Sequence, residues 1–98
     1  MFRGVLERIQ DAISHGNYDL TLHAVEEMVE DNLDIFDVEA SVLNGTLTKT
    51  ETDDPRGPRY TVIGRGIDNL TQVGVCGRFK ETGVFLIITV YEVTEYEE

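Results

Sequence analysis

The sequence predicts an α+β domain, three helices followed by a four-stranded, mainly antiparallel sheet in a β-meander. Three observations carry that expectation. The apolar period changes from about 3.6 residues to 2 after Gly45. Turn-forming residues then cut the second half into strand-length runs. The chain has 98 residues, 41% of them hydrophobic. That is enough for one core and one domain over residues 1–98, in which ~60–65% of the unfolded surface is buried.

Phe2, Val5, Leu6, Ile9, Ala12 and Ile13 recur at helical spacing with charged residues between them, so the first helix lies here. Ser14-His15-Gly16-Asn17 stops it, with Gly16 free to turn left-handed. A short extended piece, Tyr18-Asp19-Leu20, leads to Thr21, the N-cap of a second helix expected to turn Leu22, Val25, Met28 and Val29 inward. Asp34 starts a third helix, with Asp37 completing a capping box and Leu33 and Val38 placed as a hydrophobic staple. Ile35, Val38, Val42 and Leu43 are its expected core face, and Asn44-Gly45 ends it.

Thr46–Glu51 carries one apolar residue among Thr and charges and reads as a polar edge strand. Residues 53–58 form a rigid turn, and strands are expected at 59–64, 70–79 and 84–93. The last, apolar on both faces, is expected to be central and well covered. Residues 93–98 read as a frayed acidic tail.

Net charge is −11, which weighs against a simple polyanion binder. The average conceals a division: residues 1–48 carry −8, residues 49–80 carry +2, and residues 81–98 carry −5. The positive middle third is where an anionic ligand is expected, and the remaining acid keeps the protein in solution. No stretch has the length of a signal h-region or a membrane span, so a cytoplasmic location is expected. Cys76 is the only cysteine, which excludes an internal disulfide and reads as a small buried hydrophobe.

His23 has Glu26 and Glu27 three and four residues on, one helical turn away. A carboxylate beside an imidazole raises its pKa and orients it, the usual preparation of a general acid or base. The alternative is an ordinary surface helix. His15 is explained by the negative end of the helix dipole. The cationic set is Arg59, Arg65, Arg78 and Lys80, with Arg56 before it. Symmetric loops would place Arg59 and Arg65 on one sheet face with Thr61 and Ile63, and Tyr60, Gln72, Arg78, Thr89 and Tyr91 on the other. Arginine near Tyr and Gln suits a phosphate or carboxylate, and neutralisation by neighbouring acids is the alternative. Glu51, Asp53 and Asp54 read as turn formers, and a lone His is a poor metal signature, so neither metal nor cofactor is expected.

Leu20-Thr21-Leu22-His23-Ala24 through Met28, Arg59-Tyr60-Thr61-Val62-Ile63-Gly64 and Ile88-Thr89-Val90-Tyr91 resemble a prokaryotic family of small domains of unknown function. Its pattern is T-x-H-A-x-x-x-M, R-Y-x-V-x-G and I-T-V-Y, and it covers about residues 18–92. That family in turn looks like the RelE and BrnT toxins, small α+β ribonucleases that cleave RNA without a metal. The resemblance implies His23 as acid or base, Arg59 and Arg78 as phosphate binders and Tyr91 as a hydrogen-bonding group. It also implies an antitoxin partner. Glu27, Tyr60, Arg65 and Lys80 are the candidate binding residues around them. The contrasting expectation is a non-catalytic interaction domain, a homodimer or a module that binds partners through Thr46–Glu51.

Overall fold

The computed structural model describes residues 4–94. In order, the elements are α1 (Val5–Ser14), β1 (Tyr18–Leu20), α2 (Leu22–Glu30), α3 (Ile35–Asn44), β2 (Thr46–Glu51), β3 (Arg59–Arg65), β4 (Gln72–Phe79) and β5 (Phe85–Glu92). The sheet has five strands in the order β1-β5-β4-β3-β2. Strands β2 to β5 form the expected antiparallel meander. The fifth strand is the correction: Tyr18–Leu20 pairs in parallel with Phe85–Ile87, so the sheet is mixed. Phe2 and residues 95–98 of the expected tail lie outside the described residues.

Local signals set the helix ends. Gly16, at φ +70°, closes α1. Thr21 caps α2 by accepting the Ala24 N–H at 3.0 Å. Asn32, at φ +58°, closes it, with the Leu33 N–H donating to the Met28 carbonyl at 2.8 Å. Asp34 and Asp37 form the expected capping box on α3.

All three helices pack on one face of the sheet. Ile9, Ala24, Val38 and Val42 meet Val62, Val73, Val75, Phe85, Ile87 and Val90, each at most 1% exposed. Ridge positions differ from expectation in two helices. On α2 the buried residues are Ala24 and Met28, while Leu22, Val25 and Val29 are 73%, 39% and 75% exposed. On α3, Leu43 turns outward and Ser41 is buried instead.

The physical reason for the turn of α2 lies at the sheet edge. β1 covers only the first half of β5. Beyond it, Glu27 Oε1 accepts the Val90 N–H at 3.0 Å, and Asp31 Oδ2 accepts the Glu92 N–H at 2.8 Å. Two carboxylates one helical turn apart thus stand where the next strand's carbonyls would be. The helix rotates to deliver them, and its Leu22-Val25-Val29 side is carried into solvent.

Tyr18, packed against the core, donates its phenol hydrogen to Glu39 Oε2 at 2.7 Å. Burial first, then that hydrogen bond and the Glu39 charge, push the phenol from 10.0 up to about 12. A neutral phenol favoured by the fold contributes stability in full below pH 10.0, and this is lost as the pH rises from there towards 12. Spectrophotometric titration of tyrosinate should therefore lose part of its latest phase in Tyr18→Phe, and an unchanged late phase would contradict the assignment.

Candidate functional site

Strand parity decides which side chains share a surface. Arg65 pairs with Gln72 and Tyr60 with Gly77, a register of the opposite parity to the symmetric one. The loop after β3 causes the slip. Asp68 accepts the backbone N–H groups of Leu70 and Thr71 at 2.9 Å and the Thr71 hydroxyl at 2.6 Å. Asn69 sits at φ +63°. This turn draws Leu70 and Thr71 out of the strand, so β4 begins at Gln72. The Thr71 hydroxyl, followed by the two N–H groups, holds the Asp68 carboxyl below its ordinary 3.8. Ionised Asp68 therefore supports the fold above about pH 4 and ceases to as the pH falls through its lowered folded value.

The slip merges the two expected faces. Arg59, Thr61, Ile63 and Arg65 lie on the uncovered face together with Gln72, Cys76, Arg78, Thr89 and Tyr91. A β-bulge at Ile88 in β5 supplies the parity that places Thr89 opposite Cys76 and Tyr91 opposite Gly74. Tyr60 is the exception among the candidates. It points to the helix-covered face and packs, partly buried, against the core, so it does not share the surface of the arginines. Cys76, expected to be buried, is half-exposed on the open face.

One row of that face concentrates charge. Glu51 pairs with Arg59 in β2 and β3, and Arg78 with Leu86 in β4 and β5. One step beyond Tyr60 and Gly77, the register sets Arg59 opposite Arg78. Arg59 is held by Glu51 and Asp54, each at 3.8 Å. The Arg78 side chain makes no hydrogen bond or ion pair among the described residues. Glu51 and Asp54 offset the Arg59 charge, so the cation of this row without a carboxylate beside it among the described residues is Arg78.

Around that row, Asp54 accepts the backbone N–H of Arg56 at 2.9 Å and its guanidinium at 3.2 Å. Those contacts, in that order, hold its carboxyl below the ordinary 3.8. Lys80 lies 3.4 Å from Asp19 on β1. Arg65 Nε donates to Asn69 Oδ1 at 2.7 Å and is exposed. The Tyr91 ring lies across Gly74, whose Cβ would collide with it. Burial, with Cys76 beside it, raises the Tyr91 phenol, so it remains a neutral donor at working pH.

His23 lies on α2, which meets the sheet at the β5 edge through Glu27. Its Nε2 is 3.2 Å from Glu27 Oε2, and its side chain is 65% exposed. The other Glu27 oxygen is fixed by Val90, which lies between Thr89 and Tyr91 on β5. Glu26, the second expected partner, is exposed and makes no ion pair with it. The arrangement is an accessible imidazole oriented by a backbone-anchored carboxylate, on the strand that carries Tyr91. No hydrogen bond links His23 to Arg59, Arg78 or Tyr91 among the described residues.

Sequence reasoning missed Asp31 and the surroundings of Phe79. Arg8 lies over the Phe79 ring, 4.6 Å from its centroid. The readable signal was Arg78-Phe79-Lys80, an aromatic residue between two cations. No group of three or more metal-ligating side chains converges among the described residues, and none of their helices is long and apolar enough to cross a membrane.

Residues 20–92 match a family described as a domain of unknown function (DUF4258). No curated protein and no solved structure matches the chain.

Proposed function

The chain belongs to the DUF4258 family of domains of unknown function, and from its geometry we propose that it is an endoribonuclease working by acid-base chemistry on single-stranded RNA. One observation carries this reading: the register gathers Arg59, Arg65, Arg78 and Tyr91 on one uncovered face, and Glu27 ties His23 to the same strand as Tyr91. The resemblance to toxin ribonucleases points to the same residues. The charge of −11 is compatible with it because residues 49–80 carry +2, and Lys49, Arg59, Arg65 and Arg78 within them occupy the sheet face.

In this mechanism His23 takes the proton of a ribose 2′-hydroxyl, which attacks the adjacent phosphorus. The 5′-oxygen of the next nucleotide leaves as a hydroxyl, taking its proton from solvent, and a 2′,3′-cyclic phosphate remains. Arg78, with Arg59 beside it, holds the phosphate oxygens that gain charge, and Tyr91 donates a hydrogen bond. Purified protein should cleave a single-stranded RNA in the presence of a chelator, and its induced expression should arrest bacterial growth. Harmless expression together with intact RNA would end the proposal.

A second reading is a protein-interaction domain, favoured by the exposed Leu22, Val25 and Val29 on α2. An antitoxin-like partner would use the same stripe. In that case Val29→Glu should abolish a concentration-dependent mass or partner capture without lowering the melting temperature, and a strictly monomeric protein that captures nothing would remove the reading.

A further inference from the structure

Two clefts adjoin at Phe79, where the β4–β5 hairpin meets α1. The first, of about 360 Å³, is lined by Arg8, Asp11, His15, Asn17 and Phe79 among others. The second, of about 490 Å³, is lined by Pro55, Arg56, Arg78, Phe79, Lys80 and Glu81, with Thr82. Their chemistry differs. The second brings three cations together against one carboxylate, Glu81, although Arg56 also meets Asp54 and Lys80 meets Asp19. The first offers a planar cation, since the Arg8 guanidinium is stacked on Phe79 and is itself exposed. Phe79 is braced from behind by Phe85, edge to face at 5.1 Å between ring centroids.

We propose that the paired clefts form a nucleotide-binding subsite, with a nucleobase stacked on the Arg8–Phe79 pair and its phosphate held by Arg78, Arg56 and Lys80. A guanidinium plane and an aromatic ring are the surfaces on which unpaired bases stack. A cluster of forked and point cations is what a phosphate requires. Asn17 and His15 border the base cleft with side-chain hydrogen-bonding groups. Because Arg78 belongs both to this subsite and to the open face, the inference rests on the RNA reading, and it fixes one end of the strand. A nucleotide seated at Phe79 leads its next phosphate onto the row of Arg78 and Arg59.

The test is titration of the whole chain with adenosine 5′-monophosphate, adenosine and inorganic phosphate, followed by backbone and side-chain resonances. The monophosphate should bind more tightly than either half and move signals of Arg8, Phe79 and Arg78. Arg78→Ala should weaken it about tenfold, the loss of one charge-assisted contact. Arg8→Gln should bring it down to the level of phosphate alone. Glu30→Gln, on the exposed side of α2, should leave it unchanged. Equal binding of monophosphate and phosphate, or no binding, overturns the subsite. RNA cleavage without nucleotide binding would sink the subsite and leave the ribonuclease standing, and nucleotide binding without cleavage would do the reverse.

Discussion

Gly64→Ala is expected to lower stability by about 3 kcal/mol, the upper range for forcing atoms into a filled interior. Gly64 lies on β3 opposite Val73, on the face that α3 covers. A Cβ there would collide with the main-chain oxygen of Ser41 and stand 2.7 Å from Asn44 Oδ1 and 2.8 Å from Gly45 Cα. Two of these neighbours are backbone, so no rotamer change relieves the contact. The end of α3 must move instead. That movement breaks the paired contact in which Asn44 accepts the Arg65 N–H at 2.7 Å and donates to its carbonyl at 2.8 Å. It also opens the packing of Val38 and Val42 on the sheet. For a domain of this size the loss corresponds to a fall in Tm of ~12–24 °C, readable by thermal or urea unfolding. Gly4→Ala is the control, since nothing lies within 4 Å of its added carbon. Equal melting of the two variants would refute the account.

His23→Ala is expected to cost RNA cleavage a factor of about 100 to 10,000, the range for removing a positioned acid-base group. The imidazole is 65% exposed, so its removal should leave the unfolding curve in place. Glu27→Gln separates orientation from charge. The amide oxygen can still accept the Val90 N–H, while the carboxylate that faces His23 at 3.2 Å is lost. Cleavage should then fall, but by less than in His23→Ala, because the imidazole is still present and only its orienting carboxylate is gone. Cleavage by His23→Ala at the wild-type rate would remove His23 from the mechanism.

Much of this architecture is legible in the residues. Thr21, Asp34 and Asp37 announce helix starts, Gly16 and Gly45 announce ends, and the change of period marks the sheet. Three features are not legible, each for a physical reason. β1 has three residues, too few to display an alternation, and its pairing comes from a partner 67 positions away. The sheet parity depends on the Asp68 turn and on the bulge at Ile88, each of which shifts a register by an odd number of residues and reverses a face. The rotation of α2 is concealed because Glu27 and Asp31 read as solvent-facing acids, whereas they satisfy backbone donors. The candidate site was divided between two faces by the second of these, and the structure reunites it.

The shield of carboxylates along β5 also limits how copies of this chain can join. The two borders of the sheet differ in length: β1 offers the outer side of only three residues, and beyond it Glu27 and Asp31 occupy the donors of β5, whereas β2 offers a border six residues long. An incoming strand therefore finds a full template at β2 and only a short one at β1.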